Sequence, residues 1–311
     1  MKLGSAIAFG AATLWLGAAH AGPAEELAAF LDSMQPGLGY RSIEATEDGG
    51  VTVQGLTATV AFLAESGALV PPTGDAGDAT ALTVESLRLS EGAAAMLVGT
   101  NSGAEPGTIV IDATGVHLDL AVMAGSRRVD LLREHLGTDQ IDGQIAIAVE
   151  QGADGQHAAR IDAGSDQVGQ IALVLAFDET GGQLLSGEAW LADTPRRGLV
   201  GLGAYLHRLG GVRDAMRAEL DAMPSTGPAA AAALADWAAG MAAALPEHAP
   251  VLEAAAAFAS EPGRLHVTFA QPDPAGDVYE GLSGSGFAQD PQQVSDLIEG
   301  LGLGAEFAPA E

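Results

Sequence analysis

The sequence predicts an α+β protein built on a large, curled antiparallel β-sheet with a helical segment packed against it. Three observations carry this. Apolar and polar residues alternate with period two from about residue 40 to 192, and again from 264 to 270. The period lengthens to that of a helix between residues 195 and 260. Finally, 48% of the 311 residues are hydrophobic and mean hydropathy is +0.21, enough apolar matter to build a core and too much for a disordered chain.

The first 21 residues stand apart. Met1-Lys2 is followed by an uncharged apolar run from Leu3 to Leu16, and Ala19-His20-Ala21 then offers small residues at alternate positions before Gly22-Pro23. That pattern predicts a secretory signal peptide, cut between Ala21 and Gly22, with Ala19 and Ala21 read by the peptidase. The apolar run is shorter than the ~20 residues that span a bilayer, so an exported chain without a membrane span is expected. Residues 22–194 are expected to form an N-terminal helix and the β-rich region, 195–260 the helical subdomain, and 261–311 a final strand, a loop and a short helix.

In order, Leu27, Phe30, Leu31 and Met34 recur at helical spacing from Pro23 to Gln35, and Pro36-Gly37 stops that helix. Strands are expected at 51–62, 82–89, 108–111, 116–122, 141–149, 159–161, 171–177 and 184–191. Turns fall at Asp48-Gly49-Gly50, Asp154-Gly155 and Gly181-Gly182. A helix over 127–137 interrupts them, with Val129, Leu132 and Leu136 on one face. Small residues at Gly55, Ser86, Gly115, Gly143 and Gly169 each introduce an alternating run, about 26 to 31 residues apart. Either an internal repeat or the bends of a long antiparallel meander would produce this. Further on, Leu199, Leu202, Leu206 and Leu209, then Val212, Met216, Leu220 and Met223, share helical faces up to the breaker Pro224 to Pro228. An alanine-rich helix from Ala229 to Leu245 carries Leu234, Trp237 and Met241. A piece around Val251 to Phe258, a strand at 264–269 and a helix at 291–301 complete the chain.

The charge balance excludes whole classes of function. There are 41 acidic residues against 13 basic ones, a formal net charge of −28. Such a field repels nucleic acid and anionic lipid surfaces. The lack of cysteine removes disulfides, thiol catalysis and Cys-ligated metals. Lys2 is the only lysine, so no P-loop or serine–lysine pair exists beyond the leader. The histidines His117, His135, His157, His207, His248 and His266 lack metal-ligand spacing, and no acidic cluster fits a Ca²⁺ loop. Gly281 to Ser285 lacks the closing glycine of a nucleophile elbow. Gly201-Leu202-Gly203, Gly300, Gly302 and Gly304 read as packing or capping glycines. No catalytic, metal-binding or cofactor-binding residue is assigned, and no cofactor is called for.

One charged feature runs against the rest. Arg196, Arg197, Arg208, Arg213 and Arg217 are five of 12 arginines and fall within 22 residues. They either pair with acids of the sheet or form a docking face for an acidic partner or a lipid headgroup.

The run Ile161-Asp-Ala-Gly-Ser-Asp-Gln-Val-Gly169-Gln-Ile-Ala-Leu-Val-Leu-Ala-Phe177, with Gly115 to Leu120 and Gly143 to Ile147, resembles the strand–glycine–strand runs of AsmA-like periplasmic β-groove proteins. The resemblance spans residues 43–192. It implies a curled sheet that holds lipid, and it carries over no functional residue. The expected function is therefore that of a non-enzymatic periplasmic protein binding a lipid or other apolar molecule in a sheet groove. A protein–protein interaction module of the envelope, or a hydrolase using carboxylates, are the alternatives.

Overall fold

The computed structural model describes residues 22–65, 76–99, 108–123, 127–152, 155–179, 184–194, 196–202, 229–270 and 290–310. Ala19 and Ala21, where cleavage was expected, lie outside the described residues, and so do Arg208, Arg213, Arg217 and the loop at 281–285. The described residues hold eleven strands, antiparallel in every pairing set out below, together with helices, so the class is α+β. The chain divides into two compact units: residues 1–126 with 139–151, and residues 127–138 with 152–311.

The first unit contains α1 (Pro23–Asp32), β1 (Leu38–Gly39), β2 (Ser42–Ala45), β3 (Val51–Thr59), α2 (Val60–Glu65), β4 (Thr80–Leu89), α3 (Glu91–Val98), β5 (Ile109–Asp119) and β6 (Gln140–Gln151). The sheet order is β1-β3-β4-β5-β6, and β2 pairs with the first half of the β3 edge whose second half β1 takes. Gly22 precedes α1. Pro23 in the first turn lacks only an N–H that the helix leaves unused, and Glu25 and Glu26 there complement the helix dipole. Helix α3 starts at Ser90, whose hydroxyl accepts from the Ala93 N–H (3.3 Å) and the Val110 N–H (2.9 Å) and donates to the Thr108 carbonyl (2.9 Å). One side chain thus caps the helix and ties it to β5. Leu27 and Leu31 of α1 and Ala93 and Ala94 of α3 cover Val51, Val53 and Leu89 of the sheet.

A single row bends this sheet. Apolar residues occupy odd positions in Val51, Val53, Leu87, Leu89, Ile111 and Ala113, then even ones in Leu56, Ala58, Leu82, Val84, Val116 and Leu118. The switch falls where Gly55 and Gly115 take φ of +62° and +60°. A left-handed residue breaks the strict alternation of a strand, and glycine adopts it without steric cost. Accordingly Leu56 packs with the same core as Val51 and Val53. Strand β6 keeps one parity from Ile141 to Val149, and the mismatch is absorbed as a bulge: Thr114 and Gly115 of β5 stand opposite Gln144 alone. Of the small-residue recurrence, Gly55 and Gly115 mark this row, and Gly169, at the start of a strand in the second unit, also takes positive φ (+128°). Ser86 and Gly143 lie beside the row in ordinary backbone conformations.

The second unit contains α4 (Arg127–Leu136), β7 (His157–Ser165), β8 (Gly169–Phe177), β9 (Leu184–Asp193), α5 (Ala229–Ala244), α6 (Ala249–Ser260), β10 (Gly263–Ala270), α7 (Pro291–Leu301) and β11 (Gly304–Pro309). Its sheet order is β7-β8-β9-β10-β11. Residues 198–202 are helical. Leu199 and Val200, with Ala254, Phe258 and Ala259 of α6, cover Ile171, Leu191, Leu265 and Phe307 on one side of the sheet. Leu245, Leu252, Val294 and Ile298 form a second cluster that binds α7 to α5 and α6. Gly201 is a packing glycine, since a β-carbon there would strike the His135 carbonyl at the end of α4.

Four expectations need correction. The strands expected at 108–111 and 116–122 are one strand, β5, because the bulge at Gly115 keeps it continuous. The run expected to continue as strand to Phe62 turns into α2 at Val60. Residues 91–98 form a helix whose alanine-rich apolar side gave no periodic contrast. The C-terminal residues after α7 add a strand, β11, along β10 rather than trailing off.

Candidate functional site

The arginine segment resolves into separate roles. Arg196 is exposed. Of the two readings offered for this segment, Arg197 takes the ion-pair one within its unit: its Nε lies 3.2 Å from Asp193 Oδ2, and its guanidinium donates to the Phe258 carbonyl at the end of α6. The Asp193 side chain is fully buried, and its other oxygen accepts from the Thr194 N–H (2.9 Å) and the Leu199 N–H (3.0 Å). A buried carboxylate is tolerated only when paired and hydrogen-bonded, and here both conditions hold. This cluster turns the chain from β9 into the helical residues 198–202.

The histidines are dispersed. His117 Nδ1 meets Asp142 Oδ1 at 2.5 Å across β5 and β6. His135 Nδ1 bonds the Leu131 carbonyl at 2.7 Å within α4. Among the described residues no three His, Asp or Glu side chains stand close enough to hold a metal ion. His248 Nε2 lies 2.9 Å from Ser295 Oγ, a pairing that resembles a nucleophile and its base. Its geometry does not fit that role. Glu299 approaches the same nitrogen at 3.5 Å, where an orienting carboxylate would have to hold Nδ1, and Ser295 is buried among the residues that join α7 to α5 and α6. The pair fastens α7 to the turn at Pro246–His248.

Two surfaces of the second-unit sheet remain. On its apolar side, the pairs Ile161–Leu173, Ala159–Leu175 and His157–Phe177 run down β7 and β8. None of these six residues is buried, in contrast to Leu265 at the other end of the same side. Next to Leu175 comes Gly187, where atoms of the Phe269 ring occupy the space a β-carbon would fill.

On the opposite side, Trp190 of β9 stacks on His266 of β10, with ring centroids 5.0 Å apart and planes 8° from parallel. The two positions face each other across the strands, and Trp190 keeps 41% of its surface exposed. Glu188 Oε2 stands 3.5 Å from His266 Nε2. The sequence reading overlooked this pair. The signal was present: Trp190 shares strand parity with Ser186 and Glu188, so a large aromatic ring sits on the polar side.

No protein-family model, curated protein or solved structure matches this chain.

Proposed function

We propose that the protein is exported to the cell envelope and there holds a lipid or other apolar molecule against the apolar side of β7 and β8, without catalysing a reaction. The observation that supports this reading is the run Ile161, Leu173, Leu175 and Phe177, a continuous apolar surface of which no residue is buried. The resemblance to AsmA-like β-groove proteins rests on the same residues. Transfer of a hydrocarbon tail from water gains about 0.8 kcal/mol per CH₂, so an apolar strip of this kind retains a lipid without any charged contact. That suits a chain whose acidity repels anionic headgroups.

Organic extraction of the purified protein followed by mass spectrometry tests this. Lipid is expected in the extract of the native protein, and Leu173→Glu with Leu175→Glu is expected to abolish its retention while the protein stays folded by circular dichroism. A native protein that carries no lipid and takes up no fluorescent fatty acid overturns the reading.

A further inference from the structure

The polar side of the second-unit sheet carries a separate site, independent of lipid binding on the apolar side. The Trp190–His266 centroid distance matches the ~4.8 Å spacing of neighbouring strands, so the rings stack along the direction of the inter-strand hydrogen bonds. One face of the indole is thus covered by the imidazole, and the other looks towards β8. The residue paired with Trp190 there is Ala172, too short to cover it. Beyond Ala172 comes its partner on β7, Asp162. The result is a slot with Ala172 as floor, the bare indole face as one wall and Asp162 as the other. Its walls stand on strands two spacings apart, about 9.5 Å. Gln170 and Val174, the residues of β8 flanking Ala172 on the same side, close its ends, and both are exposed.

The charges on the Asp162 wall of the slot are paired. Arg160 Nε donates to Asp162 Oδ2 at 2.6 Å, and a second guanidinium nitrogen reaches Oδ1 at 3.4 Å. Glu188 is drawn to the His266 side of the indole, away from the opening. Among the described residues the slot is therefore lined by one neutralised pair, an amide and an apolar wall, in a chain whose net charge is −28. A free ion finds no uncompensated charge on the Asp162 wall. A neutral polyhydroxylated ring finds both things it needs. Its axial C–H bonds, which carry partial positive charge, lie on the electron-rich indole face. Its hydroxyls reach the Arg160–Asp162 pair and the Gln170 amide, which offer donors and acceptors together.

We propose that this slot is a binding subsite for a neutral pyranose ring, presented by an oligosaccharide lying across the open side of β7 to β10. The test is titration of the full chain with maltohexaose and with chitohexaose, read by intrinsic tryptophan fluorescence and by calorimetry. Expected is saturable binding of at least one sugar, insensitive to added salt and weakened at least about tenfold by Trp190→Ala. Ala172→Phe, which fills the slot and keeps Trp190, is expected to weaken binding to the same degree, with unchanged circular dichroism. Absence of binding to both sugars overturns the proposal, and so does binding that survives both substitutions. A response to tetramethylammonium that fades with salt overturns it too, in favour of an organic-cation site. Lipid retention is expected to be unaffected by either substitution, which separates this test from that of the apolar side.

Discussion

In the first unit Gly55 and Gly115 hold left-handed backbone at a bend that keeps one side of the sheet apolar through a change of parity. In the second unit Gly187 and Gly263 have no positive φ, and what they supply is room: the rings of Phe269 and Phe307 occupy the places their β-carbons would take. The fastening of helices differs in the same way. Leu27, Leu31, Val51 and Leu89 close the first unit by apolar contact. The second adds a buried ion pair, Asp193–Arg197, to an aromatic contact between Phe258 and Phe307 (6.4 Å, edge to face). The same residue type answers a conformational demand at Gly55 and Gly115 and a packing demand alone at Gly187 and Gly263, and only the neighbours reveal which.

The largest expected effect breaks the polar fastening. Asp193→Ala leaves Arg197 without its buried partner and two N–H groups without their acceptor, and should cost about 3 kcal/mol in urea unfolding. Adding Arg197→Met should restore much of that loss.

Gly187→Ala comes next, at about 2 kcal/mol, because the new methyl meets both the Phe269 ring and the Val174 carbonyl oxygen at 2.8 Å. Phe269→Leu should relieve part of this, and a double-mutant cycle will show coupling between the two sites. Gly115→Ala should cost at least about 1–2 kcal/mol, the penalty of left-handed backbone, to which the close approach of its β-carbon to Glu85 adds. Here Glu85→Ala should give no relief, since the atom in the way is the Glu85 β-carbon at 2.5 Å, which alanine retains. Coupling at Gly187 and none at Gly115 is the result that separates a glycine crowded by a ring that substitution can shrink from a left-handed one beside a β-carbon that substitution retains.

The smallest effect concerns the exposed turn before β3. The Thr46 hydroxyl first, and Arg88 second (2.6 Å), hold the Asp48 carboxyl down at about 2, below its ordinary value of 3.8. A lowered carboxyl favours the folded state above its ordinary value, and that preference fades as the pH falls from 4 towards 2. A ¹³C titration of the Asp48 carboxyl should find its midpoint near 2 and see it rise in Arg88→Ala.

Most strands and helices could be read from periodicity, because one buried side imposes a repeat that survives in the residues. Helices at Pro23–Asp32, Ala229–Ala244 and Pro291–Leu301 fall where their apolar spacing and breakers put them. Helix α3 was not legible, since alanines give no contrast between its sides. Nor was the continuity of β5, because a bulge looks like a strand end when seen from one strand alone. Arg197 and Asp193 are four residues apart in a charged stretch, and nothing local says that one is fully buried. The slot at Ala172 was equally hidden, since it is set by the register of three consecutive strands and by His266 on a fourth, distant in sequence.

The bend row also constrains how this chain can change length over evolution. Gly55, Glu85 and Gly115 are each thirty residues apart, and the pairings on both sides of them keep the three in line. Insertions or deletions in the connections outside the strands leave that alignment untouched. Loss of one residue within β3, β4 or β5 would shift one strand against its neighbours and turn half its apolar residues to water. Related chains should therefore vary freely in their loops while conserving, strand by strand, the distance from the left-handed glycine to each strand end.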